Sequence, residues 1–441
     1  MPPAAASAPV KVLVFAHVPP PHHGQSYMVH LMLWGFGGDH RKAKQPSPAS
    51  AADPYRVACY HVDARFSRNL EDIGDFRFGK FLLLIGHCVQ AIWCRFRHGV
   101  DIFYYVPAPG KKSALYRDWL VMFLCRPFFK HLILHWHAAG LAKWLETSVL
   151  IRSRALTYHA LKDTDLCIVL SNYNRADAEK MLPRQIKVVS NGIPDPCPEF
   201  DLAVRPRRQR RGEWRARLAA GECLSEPELG FADGDPRVIK VLYLAHCMKE
   251  KGLFDAVAGV AAANQKLSAA SSPLSLRLLV AGNFVNAEDR AHFEKLLSQP
   301  EIARCVQPLG FVSGQMKHDL LCDADLFCFP TFYQNENQPV NLIEAMAFGL
   351  PIVTTRWRSL PEMFPPGYGG LVDVNAPDQV GGALLRLLAT EDGTAFRRLF
   401  LTRFNLESHL AGLAEAFHSV GQADQVGKPS LPVWEAAPAA Q

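Results

Sequence analysis

Short apolar runs punctuate this chain at intervals. Val12 to Phe15, Ile102 to Val106, Leu132 to Leu134, Leu166 to Leu170 and Ile186 to Val189 carry almost no polar position within them. A strand with one wet face alternates, so runs without alternation fit strands buried on both faces, and the stretches between them have room for crossover helices. The pattern predicts a parallel α/β domain. It resumes after residue 235 with Val238 to Leu244, Leu276 to Ala281, Val306 to Leu309, Leu326 to Phe329, Ile352 to Thr354 and Leu371 to Val372. Two such domains fit 441 residues, at roughly 150 residues per domain, and they imply a cleft between them. The expected boundaries are 10–195 for the first domain, 196–235 for a linker or insertion, and 236–400 for the second domain. A C-terminal helix over 401–426, packing back toward the first domain, and a flexible tail over 427–441 complete the division.

Composition adds exclusions. The net charge of +6 is modest for this length and dispersed, which points away from nucleic acid and toward an anionic substrate or membrane surface. The one dense basic run, Arg205, Arg207, Arg208, Arg210 and Arg211, lies inside the proline-rich linker and reads as a solvated charge cluster. Eleven cysteines are scattered without a CxxC pair, so they are expected as reduced thiols. No secretory leader is legible at Met1 to Val10, and a cytoplasmic protein is expected. The longest apolar stretch, Phe81 to Cys94, is too short to cross a bilayer. Arg77, Lys80, Arg95 and Arg97 flank it and Trp93 and Phe96 accompany it, so it reads either as a packed helix or as one lying at an anionic inner membrane face.

In open parallel sheets ligands bind beyond the carboxyl ends of the strands. After the first run comes a proline-stiffened loop, His17 to Gly24, whose glycine opens a helix and lets backbone N–H groups approach an anion. It is not a GxGxxG fingerprint. His22 and His23 are adjacent, and adjacent histidines seldom point at one ion without further ligands. The strongest feature is Pro330 to Pro351. Pro339 suits the first position of a helix, Gly349 the residue past its end and Pro351 the stop. On a helical wheel Leu342, Ile343, Met346 and Ala347 face the core, leaving Asn341 and Glu344 on the opposite arc. Glu336 and Glu344 then offer carboxylates to hydroxyls at two places on an extended polyol ligand, with the helix N-terminus at Pro339 and Val340 between them for a phosphate. Asp163, Asp165, Asp323 and Asp325 precede strands and should lie at the wrong end of the sheets for a metal-assisted site.

The Glu336 to Glu344 segment resembles the E-x7-E motif of family 4 (group 1) retaining glycosyltransferases, whose GT-B fold pairs two facing Rossmann-like domains. Val241 to Gly252, Leu309 to Val312, Ala324 to Pro330, Leu170 to Asn174 and Val189 to Pro194 resemble further segments of that family in the same order, covering most of residues 10–420. The resemblance implies that Glu344 binds the donor ribose, Glu336 the donor sugar and Lys251 the diphosphate. Gly24, Phe311, Pro339 and Val340 are also expected to contact the donor. His246 stands where the family has arginine, five positions before Lys251, and is expected to become protonated beside a bound diphosphate. His137, at the end of a strand, is expected to orient the donor sugar, and His135 to pack within the sheet. No metal and no cofactor are expected. The donor is a nucleotide sugar, UDP-linked ahead of GDP-mannose, and the acceptor a saccharide or lipid-linked saccharide. The competing readings are a sugar-nucleotide epimerase or phosphorylase of the same fold and a non-catalytic nucleotide-sugar binder.

Overall fold

The computed structural model describes residues 8–20, 24–42, 54–65, 78–107, 110–224, 235–390 and 393–422. His22, His23, Arg77, the side chain of Lys80 and the tail over 427–441 lie outside the described residues.

Each apolar run becomes a strand, and each half of the chain builds one six-stranded sheet. The first contains β1 (Val10–Phe15), β2 (Val57–Val62), β3 (Ile102–Tyr105), β4 (His131–Trp136), β5 (Leu166–Val169) and β6 (Gln185–Val188), in the order β2-β1-β3-β4-β5-β6. The second contains β7 (Val238–Leu244), β8 (Ser275–Ala281), β9 (Val306–Gly310), β10 (Leu326–Phe329), β11 (Ile352–Thr355) and β12 (Leu371–Val372), in the order β12-β11-β10-β7-β8-β9. Neighbouring strands pair in parallel throughout, for example Val238 with Ser275 and Leu244 with Ala281. Helices fill the crossovers, as in any parallel sheet.

Three expectations need correction. β2, Val-Ala-Cys-Tyr-His-Val, was not anticipated because His61 and Tyr60 interrupt its apolar character, yet all six residues are buried. His61 is accommodated by a ring-nitrogen hydrogen bond to the Ala16 carbonyl at 2.8 Å. Conversely, β6 and β9 are edge strands with largely open side chains, so their apolar runs do not mark two-sided burial.

The arginine run is solvated only in part: Arg210 is exposed and Arg205 partly so, but Arg208 and Arg211 are turned inward. Residues 205–219 form a helix that lies against the second domain. Spacing of three and four places Arg208, Arg211 and Arg215 along one face. Arg211 meets Asp323 and Asp325 at 3.1 Å each, and Arg215 meets Asp325 at 2.7 Å. Burial works to raise the Asp325 pKa, but Arg215 and Arg211 hold it below the usual carboxylate range. Arg208 donates to the carbonyls of Leu321 at 2.7 Å, Ala324 at 3.1 Å and Phe348, capping the carboxyl ends of two helices where orphan carbonyls collect.

The Leu406–Gln422 helix returns to the first domain. Phe417 packs edge-on against Tyr104, His418 bonds the Tyr55 carbonyl at 2.8 Å, and the His409 Nδ1 bonds the Ser190 carbonyl at 2.7 Å. Among the described residues no helix is long and apolar enough to cross a membrane.

Candidate functional site at the carboxyl ends of the sheets

β7 ends at Leu244, and the chain then turns through His246 to a short helical turn, Lys249–Lys251, closed by Gly252 with φ +79°. A Cβ at Gly252 would run into the Pro330 carbonyl, so only glycine lets this turn sit against the segment leaving β10. That segment is stitched to the turn by the Phe332 N–H, which donates to the Glu250 carbonyl at 2.8 Å. Lys251 and Glu336 meet in consequence, Nζ to Oε2 at 2.6 Å, and the Thr331 hydroxyl donates to the same carboxylate oxygen at 3.2 Å. The Lys251 ammonium also stands 4.4 Å from the Tyr333 ring centroid.

The helix after this loop spans Val340–Ala347. Pro339 does not occupy its first position: it is extended (φ −67°, ψ 128°) and precedes the helix, so Val340 opens it. Leu342, Ile343, Met346 and Ala347 are fully buried, as their spacing predicts. Asn341 donates from Nδ2 to the Leu244 carbonyl at 2.9 Å, fixing the first turn at the end of β7. Glu344 lies half-buried on the other arc and pairs with Lys317 at 2.6 Å. Gly349 follows in the left-handed region at φ +59°, and a Cβ there would meet the Phe200 ring.

The first domain faces this wall. Gly24 is exposed and opens the helix Gly24–Gly35. In that helix burial, and then the negative charge of Glu344, raise the Tyr27 pKa. His135 is buried in β4, and the Tyr104 hydroxyl contacts its Nδ1 at 2.6 Å. Burial first, then His137 and His409, drives its pKa far down, so it stays neutral. His137 stands just beyond the strand, half-buried, 4.1 Å ring to ring from His135. Its carbonyl accepts from Asn337, the residue after Glu336, at 3.5 Å.

His246 has a pKa lowered first by loss of hydration and then by the Lys251 cation, so without a ligand it is neutral at pH 7. Phe311 stands beyond β9, 69% exposed. Among the described residues no hydrogen bond or ring contact joins it to Glu336 or Glu344.

Sequence reasoning missed the residues that hold the halves together. Gln338 accepts from the Asn191 N–H at 2.8 Å and donates to the Leu170 carbonyl at 2.7 Å, all buried. Arg358 donates to the Ala139 carbonyl at 2.8 Å, and Glu362 accepts from the N–H groups of Asn172 and Tyr173 at 2.8 and 2.7 Å. Polar side chains in loops and short turns carry no periodic signal; for Gln338 alone the hint was its place between the two glutamates, whereas Arg358 and Glu362 lie beyond Glu344. The aspartates lie where the pattern put them: Asp165 and Asp325 accept the N–H groups of Leu132 and Lys240 near the amino ends of β4 and β7.

A second exposed feature lies on the first domain. The helix Phe78–His98 leaves Leu82, Trp93 and Phe96 more than half exposed, with Arg97 exposed beside them. Arg95 is engaged with Asp101 at 2.5 Å.

Residues 239–390 match the family model described as Glycosyl transferases group 1. An amylovoran biosynthesis glycosyltransferase of Erwinia amylovora is 25% identical over 122 residues, 27% of this chain and 30% of that protein. The chain spans about a third or less of the length of the curated relatives it matches. Among solved structures, sucrose-phosphate synthase from Thermosynechococcus elongatus superposes with a TM-score of 0.61 at 17% identity, covering 94% of this chain and all of that one. HepE of Anabaena in complex with UDP gives 0.59 at 14% identity, over 93% of this chain and 100% of its own. The same protein has been solved with UDP-glucose. The structural likenesses establish the GT-B fold, and the family model supports a group 1 glycosyltransferase.

Proposed function

We propose that this protein transfers a hexosyl group from a nucleotide sugar to a saccharide or lipid-linked acceptor, with retention of configuration and without a metal. The observation that carries the reading is the Lys251–Glu336 pair at 2.6 Å beside the N-terminus of the helix bearing Glu344. Breaking the bond between a sugar and a nucleoside diphosphate places negative charge on the departing phosphate and positive character on the sugar carbon. Lys251 and the free N–H groups at Val340 and Asn341 are preformed donors for that phosphate, and each such donor is worth on the order of 3 kcal/mol of barrier. Glu336 keeps Lys251 in place before the donor arrives and offers its other oxygen to the sugar hydroxyls. Glu344 reaches the ribose, Phe311 presents an open ring to the base, and Gly24 lets the first domain approach the phosphates closely. His137 orients the sugar from the opposite wall. The acceptor enters on the leaving-group side, from the first domain.

The UDP and UDP-glucose complexes of HepE support a UDP-sugar as donor, with GDP-mannose next. The exposed Trp93, Phe96 and Arg97 favour an acceptor at an anionic membrane face, where aromatic rings settle at headgroup level. A thermal-shift screen of nucleotide sugars, followed by NMR of the product's anomeric centre with an acceptor panel, tests the proposal. Stabilisation by one donor class and a product of unchanged anomeric configuration are expected. Inverted product, or no turnover with any donor that binds, would sink it.

A further inference from the structure

The linker carries Cys197 and Glu199 just before its arginine helix, and the helix Gly314–Asp323 of the second domain carries His318 and Cys322 one turn apart. Nothing in the transfer reaction uses these four side chains. Their ligand atoms nevertheless all lie within 4.8 Å of one another. The His318 Nε2 is 3.1 Å from a Glu199 oxygen and 3.9 Å from the Cys322 Sγ, and the Cys197 Sγ is 3.9 Å from the same Glu199 oxygen. A tetrahedral zinc ion with bonds of about 2.3 Å to sulfur and 2.0–2.1 Å to nitrogen and oxygen requires ligand-to-ligand edges of about 3.3–3.8 Å. These three separations lie within a few tenths of an ångström of that range, and the remaining ones stay within 4.8 Å, so the side chains would close by up to about 1 Å on an ion.

We propose that Cys197, Glu199, His318 and Cys322 bind one zinc ion that staples the interdomain linker to the Gly314–Asp323 helix. Two thiolates select a soft, tetrahedral cation over magnesium or calcium, and four protein ligands make a closed structural site. The outer shell fits the same ion. With Nε2 on the metal, the His318 Nδ1 carries the proton and faces the Asp319 carboxylate at 3.6 Å, longer than a hydrogen bond but on the side from which a carboxylate orients a metal-bound imidazole. Gln315 in turn donates to that carboxylate at 2.7 Å. Two thiolates and a carboxylate leave one negative charge after a divalent ion is counted, and Arg207 and Arg208 act electrostatically on Cys322 from the adjoining helix. Cys197 is fully buried while the Glu199 side chain keeps 40% of its surface, so the ion has a way in. Binding releases the thiol protons to solvent.

The consequence is mechanical. Lys317, next to His318, pairs with Glu344, so the ion anchors the helix that holds one carboxylate of the donor site to the strap joining the domains. This site is separate from the transfer step, and its test uses no transfer activity.

The full chain, purified under reducing conditions and stripped with a chelator, is titrated with cobalt(II) and then with zinc. One equivalent of cobalt should give tetrahedral d–d bands and thiolate-to-cobalt charge transfer, displaced by one equivalent of zinc. Cys322→Ser and His318→Gln should each abolish the charge-transfer band or weaken zinc binding more than about 100-fold, and Asp319→Asn should weaken it about 10- to 100-fold. Cys223→Ser, at an exposed thiol elsewhere, should change nothing. A folded wild-type chain without the band, the same band in Cys322→Ser, or a Cys197–Cys322 disulfide in the reduced preparation would overturn the proposal.

Discussion

Replacing Lys251 with methionine separates the two tasks assigned to its ammonium group. In the unliganded protein it neutralises Glu336 at 2.6 Å, with the two side chains only 16% and 9% exposed. The gross attraction at that distance is about 6 kcal/mol for an effective dielectric constant of about 20, and most of it offsets the dehydration of the two ions. Removing one partner of a fully buried pair costs about 3–5 kcal/mol; the residual water access reduces this to about 2–3 kcal/mol. A domain of this size should then melt about 5–10 °C lower. Turnover should fall about 100-fold or more, because a donor to the departing phosphate is gone. The double variant Lys251→Met/Glu336→Gln removes both charges, so most of the stability should return while turnover stays low. Differential scanning calorimetry and release of nucleoside diphosphate in a coupled assay read the two quantities. If the double variant regains turnover together with stability, Lys251 is a structural partner of Glu336 and the catalytic assignment is wrong.

Three further outcomes are expected. The His246 pKa lies below its usual value in the free protein and a bound diphosphate raises it, so donor binding takes up a proton and tightens as pH falls from about 8 to 6; His246→Arg should flatten that slope in calorimetric titrations, and an unaltered slope would remove the histidine from the site. Burial holds His409 down to about 4 against the opposing hydrogen bond to Ser190. The unfolded chain therefore binds the extra proton first, and this part of the stability, about 3 kcal/mol, is complete above pH ~6.5 and lost as pH falls toward 4; urea melts of His409→Gln should show a shallower acid decline than the wild type. Gln338→Ala strands the buried Asn191 N–H and Leu170 carbonyl, at about 1–3 kcal/mol for each unpaired group, and should lower the melting temperature and raise the donor KM more than it lowers kcat.

Legibility in the sequence followed the range of the interactions. Val238–Leu244 and Leu326–Phe329 coincide with observed strands because central positions in the sheet leave an apolar run that needs no partner to be recognised. β2 escaped because His61 finds its hydrogen bond at Ala16, which no local window shows. The arginine run was misread for a related reason. Its charge was visible, but its acidic partners Asp323 and Asp325 stand more than a hundred residues away. Spacing at 208, 211 and 215, set against Asp-x-Asp at the start of β10, was the available clue. Glu336, Glu344 and Lys251 were legible as an ordered motif. Lys317 was not, since its role depends on a helix from a different crossover. The metal cluster is the extreme case: Glu199 and His318 are 119 residues apart, and neither half alone has a ligand spacing that signals zinc.

The central claim is that Glu336 and Glu344 hold opposite ends of one nucleotide sugar between the two sheets. A crystal structure of the protein with the nucleotide sugar that stabilises it most tests this directly. The account predicts Glu344 within hydrogen-bond distance of the ribose hydroxyls, Glu336 of the sugar hydroxyls and Lys251 on the diphosphate. A nucleotide lodged elsewhere, or both carboxylates still bound only to Lys251 and Lys317, would contradict it.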